Sequence, residues 1–125
     1  MKIKYLVAVL SGSLFALGFA PFFFWPLSIL SICILMYLLD EQGRKESFII
    51  SFLYGLGYWL CGISWVYVSI HYHGNIGIIS SSLITLLFIA CLSIYMGIFG
   101  ILYNYFSTKS AKDVIIVFPV CWVFI

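Results

Sequence analysis

Apolar residues in this chain come in long unbroken runs, and polar residues only punctuate them. The runs cover 5–20, 22–39, 48–70, 78–106 and 114–125. None alternates with period two, so each reads as a helix and not as a strand. Pro21 closes the first run, because proline removes a backbone donor and clashes with the turn before it. The second run starts near Trp25-Pro26, where proline suits a first helical turn. The third run has 23 residues and measures about 35 Å as a helix, enough to cross a hydrocarbon core of about 30 Å with some tilt. The fourth is longer, so part of it belongs at an interface. The fifth, of 12 residues, reaches only about 18 Å. The predicted fold class is all-α, a polytopic membrane helix bundle with four transmembrane helices and a truncated fifth. Residues 1–125 form one N-terminal transmembrane domain.

Composition strengthens this picture. Of the 125 residues, 65% are hydrophobic and 8% charged, against roughly 25% charged in soluble domains. Such a chain cannot assemble a water-facing surface, and in lipid its backbone must be satisfied within helices. The charges form three clusters: Lys2 and Lys4; Asp40, Glu41, Arg44, Lys45 and Glu46; Lys109, Lys112 and Asp113. Each basic cluster follows the last by two runs, so all six basic residues fall on one side. The positive-inside rule makes that side, with the N-terminus, cytoplasmic. The first two runs are short, and a re-entrant hairpin returns the chain to the same side as two full spans do. Charge does not separate the two. A secretory leader is disfavoured, since Pro21 directly follows the small residues Gly18 and Ala20 and more runs come after.

The candidate chemistry is sparse. Cys33, Cys61, Cys91 and Cys121 are far apart within apolar runs, without metal or disulfide spacing, and read as small packing residues. His71 and His73 share an outer loop that holds no acid or cysteine, so neither a metal site nor a nucleophilic triad assembles there. No carboxylate, lysine or arginine lies deep in a run, which disfavours a transport core. Paired basic residues and a net charge of +2 disfavour nucleic acid as a partner. No cofactor, metal ligand or catalytic residue is expected. Gly12, Ala16 and Ala20, and Ser47, Ser51 and Gly55, repeat every four residues and read as close helix contacts within the chain. Aromatic residues cluster at the two outer turns, Phe22 to Phe24 and Trp25 at one, Trp65, Tyr67 and Tyr72 at the other. Their default role is an interfacial belt. A sharper reading is a lipid-facing surface at the outer leaflet comprising Trp25, Trp65, Tyr67 and Ser69, with Ser64 and Ser69 bonding either lipid esters or the backbone four residues back.

Four motifs then align in order. Gly62-Ile63-Ser64-Trp65-Val66-Tyr67-Val68-Ser69-Ile70 resembles the end of the third helix of bacterial apolipoprotein N-acyltransferases. Gly18-Phe19-Ala20-Pro21-Phe22 with Trp25-Pro26-Leu27 resembles that family's first outer turn. Leu92-Ser93-Ile94-Tyr95 with Gly97 is similar to its fourth helix, and Pro119 and Trp122 to the approach to its fifth. The resemblance implies an inner-membrane enzyme that moves an acyl chain from phospholipid to the N-terminal diacylglyceryl-cysteine of an apolipoprotein. It implies a cysteine thioester in a nitrilase-like domain, with a glutamate base and a lysine at the oxyanion. None of the four cysteines matches that nucleophile, and the expectation is a membrane portion without the catalytic domain, inactive alone. The alternatives are a non-catalytic membrane protein that binds lipid or a partner, such as the membrane half of a split enzyme, or a gene remnant. A small transport subunit is disfavoured by the absence of intramembrane charge.

Overall fold

The computed structural model describes residues 2–19, 23–40, 42–107 and 116–124. The third charged cluster, Ala20, Pro21, Phe22, Glu41 and the start of the fifth run therefore lie outside the described residues. The described residues are mostly helical, with no strand among them. The elements are α1 (Lys2–Ala16), α2 (Trp25–Leu39), α3 (Arg44–Gly62), α4 (Ser64–Val68) with a π-helical turn (Ser69–His73), α5 (Ile78–Phe106) and α6 (Val117–Val123).

α3 is the spine. It packs α1 on one side and α5 on the other, with α2 against α1 and α6 against α5. α1 and α3 run parallel. Tyr5 Oη donates to Glu46 Oε2 at 2.9 Å near their starts, and Ser13 Oγ reaches Gly57 O at 3.3 Å near their ends. α2 and α5 run the other way. Asn104 Nδ2, at the end of α5, donates to Gln42 O at 2.7 Å, and Arg44 lies 5.2 Å from the Tyr105 ring centroid. Lys4, Arg44 and Lys45 therefore share one end of the bundle. The Asn104 bond ties the α2–α3 loop to α5, and Asn104→Ala should lower stability by about 0.5–1.5 kcal/mol, read as the midpoint shift of unfolding in mixed detergent micelles.

Polarity is inverted relative to a water-soluble bundle. The buried face of α5 carries Ser81, Thr85, Ser93, Gly97 and Gly100. Its outer face carries Ile79 at 84% exposure, Leu83 at 68% and Leu87 at 66%. Small and hydroxylated residues thus share the buried face with Ile89, Met96, Phe99 and Tyr103, while large apolar ones also face out, an arrangement that suits lipid. The inward hydroxyls are spent on their own helix: Thr85 Oγ1 donates to Ser81 O and Ser93 Oγ to Ile89 O, both at 2.8 Å. The small-residue stripe of α3 works as expected within the chain. Ser47 and Ser51 are buried against Gly100 of α5, and Gly55 against its Ser93 and Met96, while Gly97 takes the Phe48 ring.

α5, with 29 residues, is the one unbroken helix long and apolar enough to cross a membrane among the described residues. The third run does not form the continuous helix expected over 48–70. It breaks at Ile63, whose φ of −112° and ψ of 11° leave the helical region. The axis then turns by 53° between α3 and the segment 64–73. Gly62 and β-branched Ile63 weaken the helix there. Taken as one bent unit, the pair is a second element of spanning length. α1 and α2 have 15 residues each, about 22 Å, short of a 30 Å core. Of the cysteines, Cys121 is buried as expected for a packing residue. Cys33, Cys61 and Cys91 are instead exposed on the outer helix faces, and all four are free thiols.

Candidate functional site: an aromatic surface with two apolar clefts

The bend at Ile63 builds the site. It swings α4 and the π turn away from the α3 axis and opens a cleft of about 660 Å³ against α5, lined by Trp59, Gly62, Ile63, Trp65, Val66, Ile70, Ile84, Phe88 and Leu92. A second cleft, of about 570 Å³, lies between α1, α3, α5 and α6 and is lined by Phe15, Phe19, Tyr58, Trp59, Leu92, Tyr95, Met96, Phe99 and Trp122. Trp59 and Leu92 belong to both. The Trp59 indole N–H is buried and has no hydrogen-bond partner, in a wall that is otherwise hydrocarbon and aromatic edge. Phe15 packs edge-on against Tyr58 at 5.0 Å and Trp122 at 5.9 Å, which closes the floor of the second cleft.

The four residues expected at a lipid-facing surface are only partly brought together. Trp65 is 65% exposed and lines the larger cleft. Tyr67 and Ser69 follow on the same bent segment, both half-buried. Tyr67 stacks on His71 with ring centroids 5.7 Å apart and planes 16° from parallel. Neither Ser64 nor Ser69 has a side-chain hydrogen bond among the described residues, to the backbone four residues back or elsewhere. Trp25, 68% exposed, stands apart at the start of α2 and lines neither cleft. Sequence reading missed Trp59, Phe88 and Leu92. Their apolar surroundings looked like ordinary core, and only the unforeseen bend opens a cavity beside them.

His71 has a structural role. His71 Nδ1 lies 2.8 Å from Ile76 O, and since a carbonyl only accepts, Nδ1 carries the proton and donates. That bond, with Ser81 Oγ donating to Ile76 O at 3.2 Å, fastens the 74–77 loop across the π turn. Asn75 takes the left-handed backbone (φ 50°) that this tight return requires. No group of three or more metal-binding side chains occurs among the described residues. No carboxylate, histidine, lysine, arginine or cysteine is among the residues lining either cleft, and Tyr58 and Tyr95 are the hydroxyl-bearing ones. Such walls can bind and orient hydrocarbon.

The chain is similar in sequence to known proteins over nearly all of its length. The family model of the apolipoprotein N-acyltransferase N-terminal domain matches residues 11–125. The apolipoprotein N-acyltransferase of Vibrio cholerae is 38% identical over 118 residues, covering 94% of this chain and 23% of that protein. That of Photobacterium profundum is 38% identical over 120 residues, 95% of this chain and 23% of the relative. That of Coxiella burnetii is 33% identical over 119 residues, 94% and 24% respectively. The chain spans about a quarter of the length of the curated relatives it matches. With a match that takes in α2 to α6 and the last turns of α1, this chain belongs to the apolipoprotein N-acyltransferase N-terminal domain family.

Proposed function

We propose that the chain is the N-terminal membrane portion of an apolipoprotein N-acyltransferase. The whole enzyme transfers an acyl chain from phospholipid to the N-terminal diacylglyceryl-cysteine of apolipoproteins during lipoprotein maturation. The family match over residues 11–125 carries this reading. The inverted polarity of α5 supports its setting, the bacterial inner membrane. In this reading the N-terminus is cytoplasmic, on the side of Lys4, Arg44 and Lys45. α5 and the bent α3–α4 unit cross the bilayer, α1 and α2 enter it, and α6 begins a further helix. Trp25, Trp65, Tyr67 and Ser69 face lipid in the outer half. The membrane portion anchors the enzyme and admits lipid, while acyl chemistry of the thioester type belongs to residues elsewhere in the whole protein.

Two results test this. Residues 11–125, grafted in place of the matching segment of the Vibrio cholerae enzyme, should give a membrane-inserted chimera that N-acylates a lipoprotein substrate. The purified 125-residue chain, free of host enzyme, should show no transfer above background. A chimera that inserts stably yet is inactive, or transfer by the isolated chain, would overturn the assignment.

A further inference from the structure

The two outer turns of the bundle lie at different heights. α1 finishes beside Tyr58, as the Phe15–Tyr58 ring contact at 5.0 Å places it. At that level α3 meets the middle of α5, for Gly55 abuts Met96 and Ser93, and Trp59 and Leu92 share a cleft with Phe15 and Phe19. From Leu92 to the start of α5 at Ile78, 14 more residues carry that helix onward by about 21 Å. α4 and the π turn follow it, but the α1–α2 hairpin does not.

The composition of the turns fits the step. The higher turn, His71-Tyr72-His73-Gly74-Asn75, is polar. Across positions 15–27 the only side-chain polar group is the Trp25 indole. The described residues of the lower turn also bond to one another through their backbone. Leu17 N donates to Leu14 O, Gly18 N to Phe15 O, Phe19 N to Ala16 O, Phe23 N to Phe19 O and Leu27 N to Phe24 O, at 3.0–3.2 Å. Ser28 Oγ, the first hydroxyl of α2, turns back to Phe15 O at 3.3 Å. Gly18 permits this approach, since a Cβ there would fall on Ser28 Oγ. Phe23 accepts a left-handed φ of 56° to make the turn, a cost for a bulky residue. Local bonding of this kind is what non-helical backbone needs where water is absent.

From register, length and polarity together we infer that α1–α2 is a re-entrant hairpin whose aromatic tip, Phe23, Phe24 and Trp25, ends among the acyl chains of outer-leaflet lipid. The tip does not reach the headgroups. The partner of this surface is lipid hydrocarbon, which fills the step above the hairpin and reaches the cleft at Trp59 from that side. The inference rests on the membrane reading given above.

The test places a nitroxide at one cysteine at a time, with the native cysteines replaced by alanine, in the full chain in phosphatidylethanolamine/phosphatidylglycerol vesicles. Phe24→Cys, His73→Cys and Leu87→Cys are compared by collision with oxygen and with a water-soluble nickel chelate. Position 24 should read as hydrocarbon, on the order of 10 Å or more deeper than position 73, and position 87 as hydrocarbon too. If 87 is lipid-exposed while 24 matches 73 at headgroup depth, the hairpin reaches the surface or the bilayer thins to meet it, and the inference fails alone. If 87 is water-exposed, the membrane reading fails and takes the inference with it. Should the cysteine-free background not fold, Trp25 is read in the native chain. The emission lost in Trp25→Phe should be quenched more strongly by lipids brominated deep in the acyl chain than near the carbonyl, and the reverse order overturns the proposal.

Discussion

Gly12→Ala should lower the stability of the bundle by at least about 2 kcal/mol, near the upper part of the range for overpacked cores. α1 and α3 meet backbone to backbone. A Cβ on Gly12 would fall on the Tyr54 carbonyl, and one on Gly57 on the Val9 carbonyl. Most overpacking is relieved when a side chain rotates. Here the intruding atom is the Cβ itself and the obstacle is the main chain of a helix, so only a shift of the whole α1–α3 pair gives room. That shift would disturb the Ser13 and Ser31 bonds and the Phe15 ring contacts together. Gly57→Ala should cost a similar amount. Gly43→Ser and Gly77→Ser are the controls: each precedes a helix, a Cβ there meets nothing within 4 Å, and serine is a good N-cap. They should leave the unfolding midpoint in mixed micelles within about 0.5 kcal/mol of the parent. Equal midpoints for Gly12→Ala and the controls would show that the helices do not approach as described.

That contact explains which parts of the fold were legible in the sequence. Unbroken apolar runs dictate helices in any solvent that denies the backbone water, so the all-helical class follows directly. The stripe of Ser47, Ser51 and Gly55 was readable as a packing face because small residues at every fourth position have no other use in lipid. The partner of that stripe was not readable, because it depends on how far α5 slides along α3. The break at Ile63 was hidden for a related reason. Gly62-Ile63-Ser64 sits inside an apolar run, where a helix tolerates such a triplet unless neighbouring packing draws the chain aside. The candidate surface shared this fate. Trp65, Tyr67 and Ser69 are adjacent in sequence and stay together. Trp59, which joins both clefts, and Trp25, which joins neither, are sorted by the bend and by the height of the hairpin, and hydropathy records neither.

Ser31→Ala should cost about 2 kcal/mol, because one hydroxyl joins three helices. Ser11, Ser31 and Tyr54, from α1, α2 and α3, are all fully buried or within 1% of it. Ser31 Oγ lies 2.6 Å from Ser11 O, and Ser11 Oγ lies 3.0 Å from Ser31 O. Ser31 has a single proton, and the Ser11 carbonyl can only accept it. The 2.8 Å contact between Ser31 Oγ and Tyr54 Oη must therefore run from the tyrosine, which donates into the serine. Removing Ser31 Oγ strands the Tyr54 hydroxyl where no water can replace its partner, and an orphaned buried donor costs about 1–3 kcal/mol. Tyr54→Phe should cost less, about 1 kcal/mol, in keeping with the modest worth of single interhelical bonds in membrane proteins. It leaves Ser31 its own donated bond and strands no donor. The double variant discriminates best. Once Ser31 Oγ is gone, deleting the stranded hydroxyl removes a penalty, so Ser31→Ala/Tyr54→Phe should be no less stable than Ser31→Ala alone. That is a coupling of about 1 kcal/mol or more. Strict additivity would mean that tyrosine and serine do not share the hydrogen bond assigned to them, and that α2 is held to α3 by packing alone.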